Sequence, residues 1–235
     1  MNNIIGSVGY CPNLFNSIKI RNPDENGYGE ICYNGRNVFM GYLNNETATK
    51  EVFDEAGWLL TGDIGKTDND FLYVTGRIKE LIITSGGKNV SPIPIEESIK
   101  AQQPELISNC MVIGDNKNYL TVLIALKSKF DANTGASLDE LSDEAIDWLK
   151  QKGSMVTKVS QVLVNNSDDK IVNNIIEAAI NRANDKSRDN VSKVRKFTIL
   201  PRDFSITTGE LGPTMKLRRK IVSKMYETQI EEMYK

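Results

Sequence analysis

Residues 75–92, TGRIKELIITSGGKNVSP, mark where the chain changes character. The apolar run Leu81-Ile82-Ile83 passes directly into Ser85-Gly86-Gly87-Lys88. Glycines and a lysine after a strand are the ingredients of a phosphate cradle, so spacing decides. A Walker-type loop needs G-x-x-x-x-G-K-[ST], whose backbone N–H groups wrap the phosphates while a hydroxyl reaches magnesium. Counting back from Gly87 puts Ile82 where the first glycine belongs, and Asn89 stands in the hydroxyl position. Pro92 and Pro94 are also expected to keep a helix from starting immediately behind the loop. The stretch is not a Walker loop.

Upstream of Gly76 the chain reads as short strands between turns. Ile18-Lys19-Ile20 and Glu30 to Val38 flank a turn at Pro23 to Gly29. Trp58-Leu59-Leu60 and Phe71 to Thr75 flank another at Lys66 to Asp70. Downstream the pattern is mixed. A strand at Leu81 to Thr84 leads to a helix near Ile95 to Ala101, then to strands at Cys110 to Ile113 and Tyr119 to Leu126. Ser137-x-x-Glu140 has the form of a capping box opening a helix with Leu138, Leu141, Ala145, Ile146 and Leu149 on one face. A second helix places Val172, Ile175, Ile176, Ala179, Ile180 and Ala183 on one stripe. A strand at Phe197 to Leu200 and a C-terminal helix from about Leu217 follow. The expected fold class is α+β. A β-rich piece, residues 1–76, is joined through 77–80 to a small α+β domain, 81–235, with a short central sheet flanked by helices and a helical insertion around 128–170.

Composition narrows the chemistry. The 235 residues are 40% hydrophobic and 26% charged, with a net charge of −2, so no global basic field points to nucleic acid. The longest apolar runs fall far short of the ~20 residues of a membrane span, and no signal peptide is evident. Cys11, Cys32 and Cys110 are scattered and odd in number, which favours a reducing compartment over a disulfide framework. There is no histidine. Ser-His-Asp and Cys-His nucleophile systems and histidine metal sites are therefore excluded within this chain, and chemistry must run on Lys, Arg, Asp, Glu or backbone amides.

Three places could carry it. Thr61-Gly62-Asp63 puts a carboxylate after a glycine at a strand end, able to accept two hydrogen bonds from a sugar diol or simply to satisfy its own turn. Arg77 is either a ligand contact or a surface ion pair. Gly209 to Arg219, GELGPTMKLRR, is a glycine- and proline-shaped loop presenting Lys216, or a solvated charge run.

Taken in order, GEICYNGRNVFMGYLNNETATKEVFDEAGWLLTGDIG, FLYVTGRIKELIITSGGKNVSPIPIEE and LPRDFSITTGELGPTMKLRR resemble the adenylate-forming acyl-CoA synthetases, nearest in wording to the bubblegum-type long-chain fatty acid–CoA ligases. The resemblance covers essentially the whole chain and is weakest between Lys127 and Asp169. It implies attack of a fatty acid carboxylate on the α-phosphate of Mg-ATP to give acyl-AMP and diphosphate, then displacement of AMP by CoA. It also implies a large N-terminal domain, of which residues 1–76 would be the β-rich end of a partial distorted barrel, and a small mobile C-terminal domain.

Residue by residue, the resemblance makes Asp63 and Arg77 contacts to the nucleotide ribose. Lys79 becomes the hinge, and Lys216 the mobile lysine bridging carboxylate and α-phosphate. Gly86 and Gly87 would line the pantetheine path, with Lys88 at the CoA phosphates, unless the loop is only a tight turn before Pro92. Magnesium would arrive on ATP, with its protein ligands outside these residues. The resemblance further implies a cytoplasmic protein, with peripheral association to the endoplasmic reticulum or other membranes.

Departures from the family pattern are local and global. The turn Asp68-Asn69-Asp70 is one residue short and lacks a customary glycine, which is expected to shift the strand carrying Arg77. Lys88 stands where an acidic or neutral residue is common in relatives. The family's phosphate loop, adenine-binding segment and most of the acyl tunnel are not found here. The chain by itself is therefore expected not to form acyl-AMP. The alternative is a non-catalytic adenylate- or CoA-binding module, or a partner that docks on a separate N-terminal half.

Overall fold

The structure is a computed structural model describing residues 7–10, 16–164, 169–187 and 189–235. It divides into two compact units, Met1–Leu81 and Ile82–Lys235.

The first unit is an open five-stranded antiparallel sheet. Its strands are β1 (Gly9–Tyr10), β2 (Asn16–Arg21), β3 (Gly29–Gly35), β4 (Leu59–Asp68) and β5 (Phe71–Arg77), in the spatial order β1-β5-β4-β3-β2. A short helix, α1 (Glu46–Glu51), interrupts the expected run of strands; Asn45 caps it by accepting from the Ala48 amide at 3.1 Å. The turn expected over Lys66 to Asp70 is far tighter. Asp68 pairs with Phe71, and Asn69 and Asp70 both take left-handed φ, 48° and 65°. A two-residue hairpin requires that conformation, and Asn and Asp tolerate it, so no glycine is needed there. The unit ends in a 3₁₀ turn, Ile78–Glu80.

The second unit is built around one strand. It opens with a small hairpin, β6 (Ile82–Ile83) and β7 (Asn89–Val90), then α2 (Pro92–Gln102), β8 (Ile107–Ile113) and β9 (Leu120–Leu126). A hairpin of β10 (Ser128–Phe130) and β11 (Ser137–Leu141) follows, then α3 (Asp143–Gln151), α4 (Val159–Leu163), α5 (Asp169–Asp185), β12 (Val194–Ile199), α6 (Arg219–Met225) and α7 (Glu227–Met233). The central sheet has the order β12-β9-β8, antiparallel to β8 and parallel to β12. Every residue of β9, LTVLIAL, is buried, the pattern of a strand covered on both faces. Its alternation splits the core in two. Leu120, Val122, Ile124 and Leu126 join Ile99, Leu149, Val172 and Ile176 from α2, α3 and α5. Leu123 and Ala125 face the other way, onto Phe204, Val222, Tyr226, Ile230 and Met233.

Several expectations are corrected here. The helix after the Gly-Gly loop starts at Pro92 itself, because a proline in the first turn lacks only an N–H that would be unpaired anyway. Ser137 to Glu140 do not open a helix. They form β11, and the cap is Ser142, whose hydroxyl accepts from the Ala145 amide at 3.2 Å. Leu141 is buried, but from a strand rather than a helix face. Residues 128–170 thus combine a hairpin with helices; 165–168 lie outside the described residues, as does Cys11. The C-terminal helix begins at Arg219 and breaks at Tyr226 into α6 and α7.

Candidate functional sites

Asp63 and Arg77 lie directly opposite each other on β4 and β5, and Arg77 Nε donates to Asp63 Oδ1 at 3.1 Å. Asp63 is not at a strand end, as the sequence suggested, but within a β-bulge. Glu30 pairs with Ile64 and Cys32 with Leu60, so Thr61, Gly62 and Asp63 crowd opposite Ile31 alone. Gly62 makes the bulge with a φ of 71°, its N–H held by Glu30 Oε1 at 3.2 Å. Thr61 donates to the Ile31 carbonyl at 2.7 Å and accepts from the Asp63 N–H at 3.0 Å. The bulge therefore fixes where the Asp63 side chain points. The pair itself is open, with side chains 35% and 61% exposed. Such pairs contribute ~0–1 kcal/mol, so the arrangement is weak as a stability device and its carboxylate exchanges partners at little cost.

Lys79 sits exposed in the 3₁₀ turn that closes the first unit. The remaining candidates belong to the second unit. Gly86 and Gly87 lie in the loop of the β6–β7 hairpin, and Lys88 directly follows it. The Gly87 amide donates to the Thr84 carbonyl at 2.8 Å, and the Thr84 amide to the Lys88 carbonyl at 3.0 Å. Gly87, at φ 74°, closes a three-residue hairpin loop whose last member must be left-handed. Gly86 has no such φ, and a Cβ there would meet open space. The loop is strapped to the β8–β9 turn. The Ser85 amide donates to the Lys117 carbonyl at 3.0 Å, and the Ser85 hydroxyl to Asn118 Oδ1 at 2.6 Å.

Lys216 occupies a loop of the same design. The Met215 amide donates to the Gly212 carbonyl and the Gly212 amide to the Lys216 carbonyl, both at 2.8 Å, and Leu211 bridges Leu217. The left-handed position is taken by Met215, at φ 59°. Lys216 is exposed, and among the described residues no carboxylate pairs with its amine. Among the described residues no hydrogen bond or ion pair joins this loop to the Gly86-Gly87 hairpin.

Two buried carboxylates, which sequence reasoning missed, hold the two ends of the Lys216 loop. Glu210, fully buried, receives Arg202 Nη2 at 3.0 Å and the Tyr226 hydroxyl at 3.1 Å on Oε1, and the Thr208 hydroxyl on Oε2. Burial alone would raise its pKa, but the Thr208, Arg202 and Tyr226 contacts outweigh it and hold the carboxyl below its ordinary value. Burial, followed by the Glu210 charge, pushes the Tyr226 phenol up to about 12. Beyond the loop, Arg219 forks onto Glu96 at 2.7 and 2.6 Å, and Glu96 Oε1 also accepts from the Val112 amide at 2.8 Å. The available signal was a lone acid between Gly209 and Leu211, where a solvated charge run would carry more. A cleft of about 440 Å³ runs along β12, lined by Glu177, Arg195, Phe197 and Glu232; no candidate residue lines it.

Residues 79–165 match the AMP-binding enzyme C-terminal domain. They belong to that family. Over 217 residues the chain is 54% identical to the long-chain-fatty-acid–CoA ligase ACSBG2 of Xenopus laevis, covering 92% of this chain and 29% of that protein. It is 47% identical over 218 residues to human ACSBG1, covering 92% of this chain and 30% of that one. The chain thus spans less than a third of the curated relatives it matches.

Among solved structures, the adenylation domain of a carboxylate reductase from Mycobacterium chelonae aligns with a TM-score of 0.63 at 20% identity, over 88% of this chain and 28% of that one. The O-succinylbenzoate coenzyme A synthetase of Bacillus subtilis, solved with AMP, aligns at 0.53 and 26%, over 92% and 34%. Residues 79–165 thus carry the AMP-binding enzyme C-terminal domain, in a chain similar to the long-chain fatty acid–CoA ligases. Among the described residues no helix is long and apolar enough to cross a membrane, and no cluster of acids and cysteines could hold a metal ion.

Proposed function

We propose that this chain serves fatty acid activation as the C-terminal portion of an ATP-dependent long-chain fatty acid–CoA ligase. The reaction would convert ATP, fatty acid and CoA into acyl-CoA, AMP and diphosphate. The observation that carries the reading is Lys216: an exposed amine with no carboxylate partner among the described residues, on a loop tied at both ends by buried carboxylates, in a chain 45–54% identical to ligases of that name. A lysine so held can meet negative charge developing between a carboxylate and an α-phosphate without first rearranging its backbone.

ATP supplies the electrophilic phosphorus and the leaving diphosphate; magnesium would come with it. The carboxylate of Asp63 would accept from a ribose diol, with Arg77 orienting it through the 3.1 Å contact already present. Lys79, in the short turn, would absorb the torsional change of a domain rotation. The Gly86-Gly87 hairpin, held against the β8–β9 turn through Ser85, would flank the pantetheine of CoA, with Lys88 toward its phosphates. The run from Phe39 to Leu43, with Met40 98% and Leu43 92% exposed, offers an apolar surface to a portion bearing the phosphate loop. Cys32 and Cys110 are free and buried, which fits a reducing cytoplasm.

The test pairs this chain with the N-terminal portion of the Xenopus relative and measures fatty acid-dependent exchange of labelled diphosphate into ATP. Exchange is expected, and Lys216→Ala should lower it by about 10²-fold or more, the scale of losing a transition-state donor. Exchange that survives Lys216→Ala unchanged would overturn the reading.

A further inference from the structure

We propose that Glu210 is a positioning residue for Lys216, fixing the base of its loop so that the amine stands at one place; the inference rests on the role given to Lys216 above. Glu210 collects partners from three segments. Arg202 and Ser205 come from the stretch after β12, Thr208 from the approach to the loop, and Tyr226 from the α6–α7 junction. Its backbone continues the same work, since its carbonyl accepts the Arg218 amide at 2.8 Å, closing the loop two residues beyond Lys216.

Stability does not explain this group. Burying a charged pair contributes little compared with an apolar set of the same volume, because desolvation offsets the attraction. What a carboxylate adds is direction: donors converging on two oxygens fix those oxygens, and through one residue the rung that closes the loop. The bound is also sharp on the other side. Met215 holds a left-handed φ without being glycine, a conformation that persists only where the surroundings over-determine it.

The experiment uses Glu210→Gln, which keeps the shape but sets an amide NH₂ against donors from Arg202, Thr208 and Tyr226. In the 235-residue chain, amide hydrogen exchange is read at Gly212, Met215 and Arg218, which close the loop, and at Leu123 in β9. Protection at the three loop amides is expected to fall at least ~10-fold while Leu123 stays within ~3-fold, a local opening below the global one. Equal losses at all four sites would mean a merely structural role, and unchanged loop protection would mean no role; either overturns the proposal.

The second arm uses the assembled enzyme. Glu210→Gln should lower the maximal exchange rate by at least ~10-fold with the KM for ATP little changed, and should add nothing in a Lys216→Ala background. A further loss in that background would show that Glu210 does not act through Lys216. Should Lys216→Ala itself leave the rate untouched, the function proposed for the lysine fails, while the exchange data still report whether Glu210 anchors the loop.

Discussion

The Glu96–Arg219 contact buries a charged pair in the second unit, and its loss can be sized. Glu96 is buried in α2, and both its oxygens face the guanidinium at 2.7 and 2.6 Å. Arg219→Met leaves an uncompensated carboxylate inside the protein, which costs about 3–5 kcal/mol. In Glu96→Met/Arg219→Met both charges are gone. What remains is the Val112 amide, which now donates to Glu96 at 2.8 Å and would be left unpaired, at ~1–3 kcal/mol. The double variant should therefore be more stable than Arg219→Met.

Urea unfolding followed by Trp148 fluorescence, in a Trp58→Phe background, reports the second unit alone. With a slope of ~1–3 kcal/mol per molar, the single variant's midpoint should fall by roughly 1–5 M. A loss below ~1 kcal/mol for Arg219→Met would place the pair among surface bridges and refute the reasoning.

Two further outcomes follow from named groups. Met215→Gly should match or exceed the parent's stability by up to ~1 kcal/mol, because a left-handed φ costs a residue with a Cβ about that much. Met215→Val should be ~1 kcal/mol less stable, and equal thermal midpoints for the two would contradict the strain. Tyr226, whose pKa is raised to about 12 from 10.0, makes a contribution that is complete below pH 10 and disappears as the pH rises through 12. At pH 11 the parent should have lost ~1.4 kcal/mol relative to pH 8, a loss absent from Tyr226→Phe.

Much of this protein is legible from its residues alone. The change of style near Gly76 and the stripe from Val172 to Ala183 are carried by local periodicity and turn chemistry, which need no knowledge of distant partners. The run Leu120 to Leu126 announces a strand buried on both faces in the same way. So does the family resemblance, because its motifs are contiguous words.

The failures share another cause. Pro92 reads as a helix breaker, but its place in the first turn makes it a starter. Ser137 has the wording of a cap, but β10 stands ready to pair with β11, and pairing across a hairpin wins over a local signal. The bulge that aims Asp63 exists only because β3 lies alongside and offers one residue against three.

Most of all, the carboxylates that hold the Lys216 loop are invisible as such in the sequence. Glu96 lies more than a hundred positions from Arg219. Glu210 becomes an anchor only when Arg202 and Tyr226 fold around it. The sequence by itself determined which side chains could do chemistry. Only the tertiary structure decided which are held still, since immobility is a property of what surrounds a group, and chain order does not encode the surroundings.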